Sequence, residues 1–141
     1  MKFILFAMTL LFTLNSNSAK AANTLKYKTP NNYKEIQALS ATEIKDDHVL
    51  AKIDLNEDFI SEYIAKPANC AAKQFCTYTI IAYMNRSPII IGQFDAHQIT
   101  PLKKKDYGVR RLNIYNVKRN DFAFNTARWN PRIFKYSTNN D

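Results

Sequence analysis

Along most of the chain, apolar residues recur at every second position rather than every third or fourth. Val49, Ala51, Ile53 and Leu55 alternate against Leu50, Lys52 and Asp54, a period that predicts a strand. Phe75 to Met84 is β-branched and aromatic at both parities, as expected of a central strand. Asn85-Arg86-Ser87-Pro88 then predicts a turn into Ile89-Ile90-Ile91, and so a hairpin. Further on, His97 to Leu102 predicts a short strand, Tyr107-Gly108 a turn, and Val109 to Val117 a strand with Arg110, Leu112, Ile114 and Asn116 on one face. Phe122 to Trp129 and Ile133 to Tyr136, separated by Asn130-Pro131, complete an antiparallel series. Only Asn31 to Ser40 departs from this rhythm, because Tyr33, Ile36 and Leu39 are three apart and predict one short amphipathic helix. The expected fold class is α+β, mostly β: an antiparallel sheet, or an open barrel or sandwich, with one N-terminal helix.

The first residues follow a different logic. Lys2, the apolar run Phe3 to Leu14 and the polar, small-residue stretch Asn15 to Ala21 read as a secretory signal peptide over residues 1–21, cut between Ala21 and Ala22. The run falls short of the ~20 apolar residues that cross a bilayer, and no lipobox cysteine stands at the cut. Residues 22–141 are then expected to form a single exported β-rich domain, periplasmic or secreted, with no transmembrane segment left after cleavage. A chain of 141 residues that is 46% hydrophobic is long enough for one small domain with a core.

Cleavage removes two lysines and no acid, taking the formal net charge from +8 to +6. Much of the excess lies late, in Lys103, Lys104, Lys105, Arg110, Arg111, Lys118, Arg119, Arg128, Arg132 and Lys135. Such a field favours anionic partners, here an anionic protein or an envelope glycan or lipid. Nucleic acid is not expected, because export carries the chain away from it. The same charge would also serve solubility alone.

An oxidising destination predicts that Cys70 and Cys76 are joined. The loop is short, so the cross-link contributes only about 2 kcal/mol on a chain-entropy account. There is no Cys-x-x-Cys redox motif, and with both thiols consumed no cysteine nucleophile remains.

The most informative segment is Asp54-Leu55-Asn56-Glu57-Asp58-Phe59-Ile60-Ser61-Glu62-Tyr63. Asp54, Asn56, Asp58 and Glu62 place oxygens at positions one, three, five and nine, the spacing with which a curled loop converges on calcium. The segment resembles the Asp-Leu-Asn-Gly-Asp-Gly-x-x-Glu-Tyr turn of the FG-GAP and VCBS type. In small exported bacterial proteins of this kind that turn is followed by a strand, a close cysteine pair, an Ile-Gly-x-Phe hairpin, a Tyr-Gly turn and a late Trp. Here these are Glu62 to Ala65, Cys70 and Cys76 with Thr77-Tyr78, Ile91-Gly92-Gln93-Phe94, Tyr107-Gly108 and Trp129, so the resemblance spans Val49 to Tyr136. It implies an exported β-rich domain and no activity, and it speaks against a helix from Glu57 to Ile64. Glu57 and Phe59 replace the two glycines of the pattern, and the sixth position usually needs a positive φ that Phe adopts only at a cost. A metal-free Asx-type turn between two strands is therefore expected, with calcium as the alternative cofactor.

Catalytic groups are sparse. His48 and His97 could serve as base and acid of a secreted basic ribonuclease, with lysines stabilising the phosphorane. Isolated histidines are more often structural, and nothing singles out a carboxylate pair among Asp46, Asp47, Glu57 and Glu62. No phosphate loop, serine elbow or zinc-protease pattern is present, so no catalytic residue is assigned. Arg110, Arg111, Arg128, Trp129 and Arg132 form the candidate binding face in an aromatic and basic final third. The expectation is an exported binding or accessory protein, such as a protein inhibitor or immunity-type binder of the bacterial envelope. The alternatives are a secreted hydrolase and a structural or lipopolysaccharide-associated component.

Overall fold

The computed structural model describes residues 24–40, 47–72, 74–118 and 121–138, with 117, 118 and 121–124 described by backbone alone. The expected signal peptide lies outside the described residues. The strands are β1 (Tyr27–Lys28), which alternation did not predict, β2 (His48–Ile53), β3 (Glu62–Pro67), β4 (Cys76–Met84), β5 (Ser87–Ala96), β6 (Gln98–Asp106), β7 (Val109–Lys118), β8 (Asp121–Asn130) and β9 (Lys135–Ser137). The three-residue spacing near the start becomes α1 (Tyr33–Ser40). Every pairing is antiparallel, in one sheet ordered β1-β2-β3-β4-β5 and another ordered β6-β7-β8-β9. The mostly β expectation holds, with two antiparallel sheets sharing one core and one short helix, and no closure into a barrel among the described residues.

Strands β3 and β4 show why alternation fails in the middle of the first sheet. Ile64 and Ile80 are partners and face the second sheet, in a core with Leu112, Ile114 and Ala127. Their neighbours Tyr63 and Ile81, also partners, face the other way, with Ala38 of α1 in the same cluster. A strand covered on both faces has no solvent side to carry polar residues. The helix sits on that outer face by its N-terminus: Asn32 Oδ1 accepts the Glu35 N–H at 2.9 Å, and Glu35 Oε2 accepts the Asn31 N–H at 3.0 Å, a variant of the capping box. Glu35 is buried and its other oxygen meets Lys28 Nζ at 3.2 Å, tying α1 to β1. Burial opposes ionisation there, yet the Asn31 N–H and the Lys28 charge prevail and hold the Glu35 carboxyl below its usual range.

Three details differ from the sequence expectation. Strand β2 stops at Ile53, leaving Leu55 as a buried residue of the following loop. The last strand starts at Lys135, so Ile133 and Phe134 belong to a turn and stand exposed. The run Lys103-Lys104-Lys105 lies on β6, an edge strand whose register is broken between Pro101 and Lys105. Lysine, proline and a bulge on an edge all discourage pairing with another chain, which gives this part of the basic charge a structural use. Cys70 and Cys76 are bonded, with Cα atoms 6.3 Å apart, and close the β3–β4 connection.

Candidate functional site: the loop end of the sandwich

Antiparallel connectivity brings four connections to one end: the loop 54–61, and the turns Asn85-Arg86, Tyr107-Gly108 and 131–134. Two contacts clamp the loop to the second sheet, the Arg110 N–H donating to Leu55 O at 2.8 Å and an ion pair between Lys105 and Glu57. Every positive-φ residue among those described lies in these connections: Glu57, Phe59, Asn85, Arg86, Tyr107, Gly108 and Phe134. Asn85-Arg86 and Tyr107-Gly108 are two-residue hairpin turns, in which positive φ at both positions matches the strand twist. Glu57 (φ 60°), Phe59 (φ 67°) and Phe134 (φ 51°) lack that reason, and left-handed backbone at such residues costs of order 1–3 kcal/mol each.

The loop offsets this with its own side chains. Asp54 accepts the N–H groups of Asp58 and Phe59 at 3.3 and 2.9 Å, Asn56 Oδ1 accepts the Asp58 N–H, and Asp58 Oδ1 accepts the Ile60 N–H at 2.8 Å. These are Asx-type turns, and they hold Glu57 and Phe59 in the left-handed backbone that glycine adopts without steric cost. Glu62 turns inward instead, accepting the Leu55 N–H at 2.7 Å. Among the described residues, no three His, Cys, Asp or Glu side chains are grouped as a metal site.

The end displays bulky apolar groups where turns normally carry small polar ones. Phe59 is 98% and Tyr107 81% exposed, while Ile60, Ile133 and Phe134 each keep about half their surface in solvent. Between the loops opens a cleft of about 190 Å³. Ile89, Ile91, Val109, Trp129 and Phe134 contribute its apolar lining, while Asn56, Asp58 and Glu62 supply polar groups. Burial pushes the Glu62 carboxyl up to about 7; the nearby carboxylates of Asp58 and Asp54 act in the same direction, against the Leu55 N–H.

The candidate basic face divides. Arg111 makes a two-pronged pair with Asp106, at 2.7 and 2.6 Å, and the Arg111 hydrogen bond, with the charges of Arg128 and Lys104 adding to it, holds the Asp106 carboxyl below its usual range. Arg110 donates from Nε to Leu102 O at 2.9 Å. Arg128 is exposed, whereas Trp129, the next residue, takes the opposite side of β8 and lines the cleft. Arg132 lies in the last turn, in a shallow depression that Trp129 and Tyr107 also line. Thus Trp129 and Arg132 line the depressions of the loop end, whereas Arg111 is engaged by Asp106 and Arg128 lines neither depression.

At the other end of the sandwich, His97 packs between the rings of Phe75 and Tyr115, with centroids at 5.1 and 6.1 Å. His48 opens β2 opposite Pro67. Ile60 escaped the sequence reading, and Phe59 entered it only as the substitute for a turn glycine. The available signal was bulky apolar residues inside turn clusters, as in Asp58-Phe59-Ile60 and Arg132-Ile133-Phe134. No family model, curated protein or solved structure matches this chain.

Proposed function

We propose that this is an exported binding protein that engages another protein through the loop end of its sandwich, in the manner of an inhibitor or immunity-type binder of the cell envelope. The observation that carries this reading is the display of Phe59, Ile60, Tyr107, Ile133 and Phe134 on three of these neighbouring connections, around a cleft. Exposed aromatic and aliphatic residues clustered beside a pocket have the composition of an interaction centre, and a framework of two sheets gives loops a rigid base. The leader expected at residues 1–21 would deliver the domain to the periplasm or beyond.

The test compares capture from envelope extract by three immobilised proteins: the wild type, Phe59→Ser/Tyr107→Ser/Phe134→Ser, and Lys104→Glu/Arg128→Glu. The reading expects a saturable partner that the triple variant loses and the charge variant keeps, while both variants retain cooperative unfolding. A partner lost only by the charge variant would transfer the function to the outer face of the second sheet. There Lys104 and Arg128 surround the Arg111–Asp106 pair, and the favoured ligand would be an anionic envelope lipid or glycan.

A further inference from the structure

Resting on that reading, we propose that the cleft at the loop end receives one arginine side chain of the partner protein, with its guanidinium directed to Asp58 and Glu62 and its aliphatic stem lying along Ile89, Val109 and Trp129. Three features of the cleft lead to this occupant.

Size comes first. At about 190 Å³ the space is below the roughly 300 Å³ at which sites for whole small molecules begin, and it suits one long side chain. Polarity comes second. The chain carries 20 basic and 12 acidic residues, yet among the described residues the cleft is lined by two carboxyl groups and no Lys, Arg or His. A cation therefore meets opposite charge without having to displace a resident one, and an anion would meet repulsion. Shape comes third. Trp129 and Phe134 stand edge to face, with centroids 6.1 Å apart, and offer aromatic surface to a planar, weakly hydrated guanidinium better than to a compact ammonium.

The groups that face Glu62 are Asp54 and Asp58 from the loop, Tyr136 from β9, and Arg110 of β7 beside Tyr136. Glu62 is ionised above about pH 7, so binding is measured at pH 8.

The chain has a single tryptophan, Trp129, so intrinsic fluorescence reports on the cleft directly. The probes are n-butylguanidinium and its neutral near-isostere n-butylurea, titrated at constant ionic strength. The expected result is a saturable change with n-butylguanidinium at millimolar concentration and at least tenfold weaker binding of n-butylurea. Glu62→Gln/Asp58→Asn, whose side chains can still accept the Leu55 and Ile60 N–H groups, should remove that preference. Lys104→Ala, at an exposed position outside the cleft, should preserve it, and cooperative urea unfolding of the carboxamide variant guards against a folding artefact. Equal binding of the two probes, no saturation with n-butylguanidinium, or a preference that survives in the carboxamide variant would overturn the proposal. The loop end could still capture its partner in those cases, because the triple Ser variant tests that reading separately.

Discussion

The buried Glu62 carboxyl accepts the Leu55 N–H at 2.7 Å, so the loop between β2 and β3 is held closed from inside by the first residue of the strand that follows it. The same contact keeps Leu55 in the core, almost wholly shielded from solvent, and leaves a carboxyl group on the inner side of the cleft.

Glu62 should therefore make stability depend on pH. Its pKa rises from an ordinary 4.5 to about 7 on folding. The native state then holds the proton more tightly, and the resulting stability is full below pH 4.5 and is lost as pH rises through about 7. Glu62→Gln removes this titration. Urea unfolding should find the variant gaining on the wild type between pH 4.5 and pH 8, by about 3 kcal/mol at most. A difference that stays constant across that range would contradict the assignment.

At Gly92 of β5 there is no room for a side chain between its own sheet and Tyr136 of the second. A Cβ there would stand 3.0 Å from Phe94 Cε2, 3.1 Å from Ile80 Cδ1 and 3.3 Å from Tyr136 Cβ. Gly92→Ala should cost about 1–2 kcal/mol through overpacking, read as a lower urea midpoint. Helix α1 packs on the other face of the first sheet, so its circular dichroism should be unchanged in the native baseline.

Arg111 and Arg128 should behave differently although both are basic residues of the second sheet. Arg111 is largely buried and paired with Asp106, so Arg111→Ala should cost about 1–3 kcal/mol at pH 7. The Asp106 pKa is depressed, so its contribution is present above the unfolded value of 3.8 and disappears as pH falls through the folded value. The gap between wild type and variant should close in acid. Arg128 is exposed, and Arg128→Ala should change stability by less than about 0.5 kcal/mol.

Reduction of Cys70–Cys76, or the double substitution to Ser, should cost about 2 kcal/mol. The bridge lies at the end of the sandwich away from the loops. Native Trp129 fluorescence should therefore stay as it is while the melting temperature falls. A native-state spectral change would mean that the two ends are coupled.

The sequence by itself determined most of the strands, because side chains alternate across a sheet and a period of two is a local property, but not β1 or residues 103–106 at the end of β6. It also located α1 by its three-residue spacing and the turns by their Asn, Gly and Pro residues, and the cysteine pair lay close enough along the chain to be joined in an expectation that rested on spacing and on the anticipated export. Tertiary structure decided everything that depends on which faces and ends meet. Arg110, Arg111, Arg128, Trp129 and Arg132 look like one basic, aromatic surface along the chain, but alternation on β8 sends Trp129 into the cleft and Arg128 outward. Asp106 takes Arg111, and the Leu102 carbonyl takes Arg110. Lys103-Lys104-Lys105 becomes edge protection only because, among the described residues, no strand pairs with β6 on its outer side. The loop end emerged because four connections far apart in sequence share one end of a sandwich, and strand direction and pairing order, unlike periodicity, are set by contacts between segments that the chain brings together only on folding.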